Sequence, residues 1–221
     1  MRIVLFGQRS FGAAVLSDVA KTHDVLLAVS PPEDENGRED RVRHEALLAG
    51  VPWRASGVRA EDVPGCDLIV CAHSHDFVGR RTRARARHGA IGFHPSLLPL
   101  HRGRDAVRWA IHMRDRVAGG SVYWLSENVD GGDVAAQDWC FVRHDDDASS
   151  LWRRELFPMG VRLLRDVVAD VDNGVLVRVP QDESIATWEP SWTRQPLHRP
   201  ELPCLPAPGA GGPVFVRTRV R

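Results

Sequence analysis

Lysine is nearly absent from this 221-residue chain: Lys21 is its one example, so almost all of the positive charge is arginine. The 29 basic side chains are balanced by 29 acidic ones, which leaves no global field to attract nucleic acid or a membrane surface. Neither is expected as a partner. Cysteine is scarce as well. Cys66, Cys71, Cys140 and Cys204 show no C-x-x-C spacing and no disulfide-framework density, which points to a reducing compartment, against a structural zinc site, and toward thiols used for packing. No apolar run approaches membrane-spanning length. The N-terminus, MRIVLFGQRSFG, enters a strand-like run at once, without the basic, apolar and cleavage regions of a signal peptide. The expected location is the cytoplasm. What is present is ordinary for a globular protein: 43% hydrophobic and 26% charged residues, enough for one substantial domain with a short appendage.

The opening run RIVLF (2–6) is continuous and apolar and ends at Gly7. Behind it, Phe11, Ala14, Val15 and Val19 recur at helical intervals. A buried strand followed by an amphipathic helix is half of a βαβ unit, and DVLLAVS (24–30) supplies the second strand, with parallel pairing by a right-handed crossover. The fold class is therefore α/β, a Rossmann-like, doubly wound, mostly parallel sheet. PPEDENGRED (31–40) reads as a solvated, mobile loop. A helix over 38–50 is closed by Gly50, and DLIVCA (67–72) and AIGF (90–93) are further strands. GGSVYWLSE and VAAQDWCFV are two strands separated by NVDGGD, whose Asp-Gly-Gly is a turn signal. A long helix starts near Ala148 with Asp147 as its N-cap, and Pro158 should break it near Phe157. From Pro180 the chain is proline-rich and aperiodic, which predicts an extended, partly disordered tail: a catalytic-type domain over 1–190, then a Pro/Gly-rich tail over 191–221. There is no internal repeat.

In a parallel α/β sheet, ligands sit beyond the carboxyl ends of the strands, near the switch in strand order. His94 follows AIGF, Asp130 lies in the turn after SVYWLSE, and CAHSHDFV follows a third strand. These groups can converge on one cleft. An imidazole beside a carboxylate acts as a general base, the carboxylate fixing its tautomer and stabilising its protonated form. His94 and Asp130 are the candidate pair; the plainer alternative is that each satisfies only its own loop. Pro95 and Pro99 restrict the chain around Ser96–Pro99, which would hold His94 in place.

Other features admit two accounts each. His73 and His75 alternate and either bind a metal with a third ligand or are polar strand-end residues; with no third ligand specified by spacing, no metal is expected. The arginines of GRRTRARARHG (79–89) form either a solvated helix face or a phosphate grip. Arg102 and Arg104 either clamp an anionic acceptor or bond local carbonyls. Trp188 and Trp192 pack the tail onto the core, and Trp109, Trp124 and Trp139 fall at core-compatible positions.

The combination HPSLLP, HRG, AVRWAI and GGSVYWLSENVDGGDVAAQ, together with IVLFGQRSFGAAVL at the start, resembles the formyltransferases that use 10-formyltetrahydrofolate. The likeness runs, with gaps, from about Met1 to about Trp188. It implies direct transfer of a formyl group from the folate N10 to an amine. It implies that His94 and Asp130 match the family's catalytic histidine and aspartate. It also implies a folate pocket formed by His75, Asp76, Phe77 and Val78, by Ser96, Leu97 and Leu98, and by Val129 and Gly131, largely through backbone groups. In the family mechanism a tetrahedral oxyanion is stabilised by the histidine and by an asparagine two residues before it. Here that position is Gly92. Loss of one such donor typically costs about 10²- to 10³-fold in rate. Either His73, His75 or Asn128 substitutes, or water fills the place, or the chemistry has changed. The resemblance thus points to an N-formyltransferase acting on a small amine such as an amino sugar or a natural-product or siderophore intermediate. The alternatives are a 10-formyltetrahydrofolate hydrolase and a non-catalytic folate-binding protein. The roughly thirty residues after Trp188 leave no room for the further domain with which the tRNA enzyme holds its substrate, and GQRSFG lacks the phosphate loop of the purine-pathway enzyme.

Overall fold

The run Arg2–Gly7 forms strand β1, and its alternation divides two cores: Ile3 and Leu5 pack on one side of the sheet, Val4 and Phe6 on the other. Burial on both faces is why this strand reads as continuously apolar rather than alternating. A computed structural model describes residues 1–192 of the chain. Helix α1 (Arg9–Val19) buries Phe11, Val15 and Val19 at the expected spacing, with Leu16 rather than Ala14 completing the stripe. Then follow β2 (Asp24–Ser30), α2 (Arg41–Leu48), a short β3 (Trp53–Ala55) that the sequence pattern did not announce, and β4 (Leu68–Ala72). The second half comprises α3 (Arg80–Arg83), β5 (Ala90–His94), α4 (Ala106–His112), β6 (Val117–Trp124), β7 (Val134–Phe141), α5 (Ala148–Leu151) and α6 (Phe157–Asp172).

The sheet order is β3-β2-β1-β4-β5-β6-β7. Strands β1 to β5 are parallel, while β6 and β7 run antiparallel to their neighbours. The chain winds outward from β1 to β3 and then returns to β1's other side as β4. That reversal opens a crevice at the carboxyl ends of β1 and β4, with the end of β5 beside it. The doubly wound, mostly parallel architecture is as expected.

Three local expectations are refined. Pro158 has no N–H to donate, and the interruption precedes it as a π-helical turn, Trp152–Leu156, joined to α6 by the Phe157 N–H bonding the Trp152 carbonyl. The Asp147 cap is present, accepting from the Ser150 N–H at 2.6 Å. The loop over 31–40 is not simply solvated: Asp40 is buried and accepts from the N–H groups of Arg9 and Val42, both at 2.8 Å. Its charge caps α2 and ties that helix to the start of α1. Trp109 and Trp124 lie in the core, but Trp139 is 41% exposed on the edge strand β7, in edge-to-face contact with Phe141.

The tail expectation is corrected in its first part. Val179 pairs with Val134, and Trp188 with Arg102. Trp109 donates to the Pro190 carbonyl at 2.9 Å, and Trp192 packs edge-to-face on Trp109. The segment over 180–192 is therefore a strap held by backbone pairing and tryptophan contacts; the tail beyond it lies outside the described residues.

Phe93, the neighbour of His94, is gripped from two sides. A Cβ at Gly120 of β6 would come within 2.5 Å of its ring, and one at Gly160 of α6 within 2.7 Å. These glycines let α6 lie close against the sheet beneath the site. Overpacking of such a contact costs about 1–3 kcal/mol, so Gly160→Ala is expected to lower the thermal unfolding midpoint by several degrees (about 2–4 °C per kcal/mol for a domain of this size). Calorimetry checks this, and an unchanged midpoint would contradict the close packing.

Candidate active site

His94 ends β5 with its imidazole buried. Its Nε2–H donates to the His101 carbonyl at 2.7 Å, which leaves Nδ1 as the nitrogen facing the cleft group Asp130. Asp130 reaches it from the connection between β6 and β7, where its backbone adopts the left-handed conformation (φ 52°). Asx residues tolerate that region better than other side chains. One carboxylate oxygen, Oδ2, accepts from the Gly103 N–H at 2.9 Å and stands 3.6 Å from His94 Nδ1. The other, Oδ1, accepts from the Tyr123 hydroxyl at 2.7 Å. Gly103 sits at φ 107°, with the Glu189 carbonyl 2.9 Å from where a Cβ would stand, so only glycine lets this backbone N–H approach the carboxylate.

The carbonyl that holds His94 is itself held. His101 has a left-handed backbone (φ 55°), its N–H donates to Thr187 Oγ1 at 2.7 Å, and its ring bridges two carboxylates: Asp115 at 2.8 Å and Glu189 at 3.0 Å. Burial alone would push this imidazole's pKa down, but the hydrogen bonds and charges of Asp115 and Glu189 win and raise it to about 9. His101 is thus a cation that clamps the strap to the site.

The loop after β4 behaves differently. His73 (φ 58°) and His75 stand beyond the strand end, with ring centroids 5.8 Å apart. Loss of solvation, then the nearby Arg9 and His75, push His73 down to about 4 even though part of its ring reaches solvent. His75 is lowered by loss of solvation and by Arg104 and Arg9. Among the described residues no group of three His, Cys, Asp or Glu is arranged to hold a metal. Asp76 accepts from Ser56 Oγ and the Gly57 N–H, Val78 is buried, and Phe77 is 86% exposed. The backbone N–H groups of His75 and Phe77 make no hydrogen bond among the described residues. Arg83 donates to the Val78 carbonyl and pairs with Glu127, so this loop lies beside the one that carries exposed Val129, Asp130 and Gly131. The remaining arginines of the 79–89 run form no continuous helix face: α3 is one turn long, and Arg85 bonds the Val63 carbonyl.

Ser96, Leu97 and Leu98 are held by contacts within and beneath their own loop. The Ser96 hydroxyl donates to the Leu100 carbonyl, Ser121 Oγ bridges the Ser96 carbonyl and the Leu98 N–H, and the Leu97 side chain lies against Gly119. Arg102 is a correction. Its guanidinium is buried and donates to Gln181 and Glu183 through four hydrogen bonds of 2.7–3.2 Å, so it anchors the strap and is not free to clamp an acceptor. Arg104 is exposed, has no hydrogen bond or ion pair among the described residues, and lies close enough to His75 to depress it. A cleft of about 410 Å³ opens at the carboxyl ends of β1 and β4, lined by Arg9, Ser10, Phe11, His73, Trp152, Arg153 and Phe157. Sequence reasoning missed Tyr123, His101 and Glu189. Tyr123 sits inside a strand, and the partners of His101 are 14 and 88 residues away, so no local spacing marks them.

The family model for formyl transferases matches residues 1–167. The cytosolic 10-formyltetrahydrofolate dehydrogenase of Homo sapiens is 35% identical over 201 residues, covering 86% of this chain and 22% of that protein. The methionyl-tRNA formyltransferase of Acidobacterium capsulatum is 29% identical, covering 88% of this chain and 67% of that protein. The chain thus spans about a fifth of the length of the dehydrogenases it matches. Among solved structures, glycinamide ribonucleotide transformylase 1 from Symbiobacterium toebii superposes with a TM-score of 0.69 at 22% identity, covering 82% of this chain and 93% of that one. The N-formyltransferase from Helicobacter canadensis, in complex with folinic acid and dTDP-3-aminofucose, superposes with a TM-score of 0.70 at 13% identity, covering 84% and 69%. These likenesses establish the fold.

The cationic His101 has a consequence for stability. Since its folded-state pKa lies above 6.5, its stabilisation is complete below pH 6.5 and is lost as pH rises through about 9. The shift corresponds to at most about 3 kcal/mol. Urea unfolding of wild type and His101→Gln at several pH values should show a stability gap that closes across that window; a pH-independent gap would rule out the clamp.

Proposed function

Because the chain belongs to the formyl transferase family, we propose that this cleft takes a formyl group from 10-formyltetrahydrofolate to the amine of a small acceptor. The observation that carries the reading is the His94–Asp130 pair at the ends of β5 and β6, with one imidazole nitrogen held by a carbonyl and the other facing a carboxylate. The residues present fit such a donor. The free N–H groups of His75 and Phe77, beside an exposed aromatic ring, offer hydrogen bonds and a flat apolar surface to a heterocycle. When bound, 10-formyltetrahydrofolate supplies a formyl carbon attached through nitrogen. The chain's own residues manage the proton. His94 receives a proton at Nδ1, the nitrogen not engaged by His101, and Asp130 Oδ2 stabilises the resulting imidazolium. Val129 and Gly131 shape the loop that carries Asp130.

The cleft beside β1 and β4 is the place for the acceptor. Arg153 brings positive charge to it, Arg9 brings a guanidinium that also pairs with Glu35 at 2.6 Å, and Phe11, Trp152 and Phe157 bring aromatic surface. That combination suits an amine carried on an anionic scaffold, such as a nucleotide-linked amino sugar or a phosphorylated biosynthetic intermediate, with Arg104 available at the mouth near His75. The Helicobacter canadensis structure, with a dTDP-amino sugar, supports the same class. A second reading, hydrolysis of 10-formyltetrahydrofolate by water, rests on Gly92, which has no side-chain amide to orient an oxyanion, and on relatives whose names mention this folate and no amine.

Turnover of 10-formyltetrahydrofolate with and without a panel of amines tests both. Amine-dependent formyl transfer supports the first reading, equal formate release without any amine selects the second, and folate binding without turnover leaves only a binding protein. His94→Ala and Asp130→Asn are each expected to lower kcat by about 10²- to 10⁴-fold, and an undiminished rate in either variant would remove the pair from the chemistry.

A further inference from the structure

We propose that Tyr123 is a positioning residue for this reaction, its hydroxyl fixing the Asp130 carboxylate in the orientation that presents Oδ2 to His94, and its ring occupying the place above Gly92. The inference rests on the proposed function for its kinetic consequence, but its geometry is independent of it.

Gly92 and Tyr123 are direct partners in the antiparallel pair of β5 and β6. A Cβ at Gly92 would lie 3.4 Å from Tyr123 Cε1, 3.6 Å from its Cζ and 3.0 Å from Leu125 Cδ1. The volume that a longer side chain at position 92 would enter is therefore already filled by the phenol and a leucine methyl group. Neither His73, His75 nor Asn128 fills it. Asn128 is exposed, and its backbone bonds the Ser126 hydroxyl and the Gly131 N–H of its own loop, while the two histidines stand beyond the end of β4.

An aspartate carboxylate rotates about χ2 in a broad, roughly two-fold well. Asp130 has one oxygen held by a backbone N–H, that of Gly103, and the other by the tyrosine hydroxyl. Without the hydroxyl, Oδ1 is free to turn and the orientation of Oδ2 toward His94 is held from one side only. The bond is charge-assisted and partly shielded from water, which makes it stronger than a neutral surface hydrogen bond. A phenylalanine would fill the same space, so the hydroxyl's contribution is the carboxylate contact. Burial and the Asp130 charge both hold the phenol in its protonated, donating form, since they push its pKa well above 10.

Tyr123 is the chain's one tyrosine, which gives a direct test. Biosynthetic 3-fluorotyrosine labels this position alone, and fluorine NMR follows its titration in wild type and Asp130→Asn. The expected result is a lower titration midpoint and a displaced resonance in Asp130→Asn; identical titrations would overturn the contact whether or not the protein turns over folate. Kinetically, Tyr123→Phe should lower kcat by about ten- to a hundredfold with KM for the folate unchanged. A Tyr123→Phe enzyme with wild-type kcat, or one altered only in KM, overturns the positioning role. If wild type itself neither transfers nor releases the formyl group, the proposed function fails, and the fluorine titration alone then decides the Tyr123–Asp130 contact.

Discussion

The site depends on one left-handed residue. Asp130 reaches across to the end of β5 because its backbone turns at φ 52°, and from there its carboxylate joins three elements: Tyr123 on β6, Gly103 in the loop after β5, and His94. Remove that turn and the β6–β7 connection would carry its charge away from the imidazole. The glycine two residues on, Gly132, shows how little freedom exists. A Cβ at Gly132 would overlap the Trp124 carbonyl, so the chain must fold back on β6 immediately after the aspartate. Backbone conformation, more than any pairwise attraction, sets the distance between acid and base.

A second layer fixes the imidazole from behind. His94 is oriented by the carbonyl of His101, and His101 is oriented by carboxylates from α4's end and from the strap, Asp115 and Glu189. The strap also receives the Arg102 guanidinium at Glu183 and Gln181, and Gln181 in turn donates to the carbonyls of Asp130 and Gly132. One segment therefore supports both members of the pair, the base through His101 and the acid through Gln181. Precise sites need such supporting contacts as much as they need the reacting side chains.

This arrangement explains which parts were legible beforehand. The strands other than the short β3, the first helix and the strand-end placement of His94 and Asp130 follow from local apolar periodicity and from the geometry of parallel sheets, both of which are written in short windows. The strap was misread for the opposite reason: its prolines suppress periodicity, and the contacts that order it join residues 79 to 88 positions apart. Arg102 was misassigned by the same blindness, because its carboxylate partner Glu183 lies in that strap. The loop over 31–40 looked solvated from its charges, yet one of them, Asp40, is buried as a helix cap. Charge indicates exposure only until a backbone donor claims it.

Gly92 illustrates the limit of reading a site position by position. Taken along β5, the missing amide is a plain loss. Taken across the sheet, positions 92 and 123 are one place approached from two strands, since directly opposed residues of an antiparallel pair have Cβ atoms within about 5 Å of each other. A large polar side chain on either strand can occupy that volume, but not on both. A Cβ at 92 would stand in ordinary contact with the Tyr123 ring and crowd a Leu125 methyl group, so a longer side chain there would compete with both for this volume. The phenol on β6 engages the Asp130 carboxylate beside it.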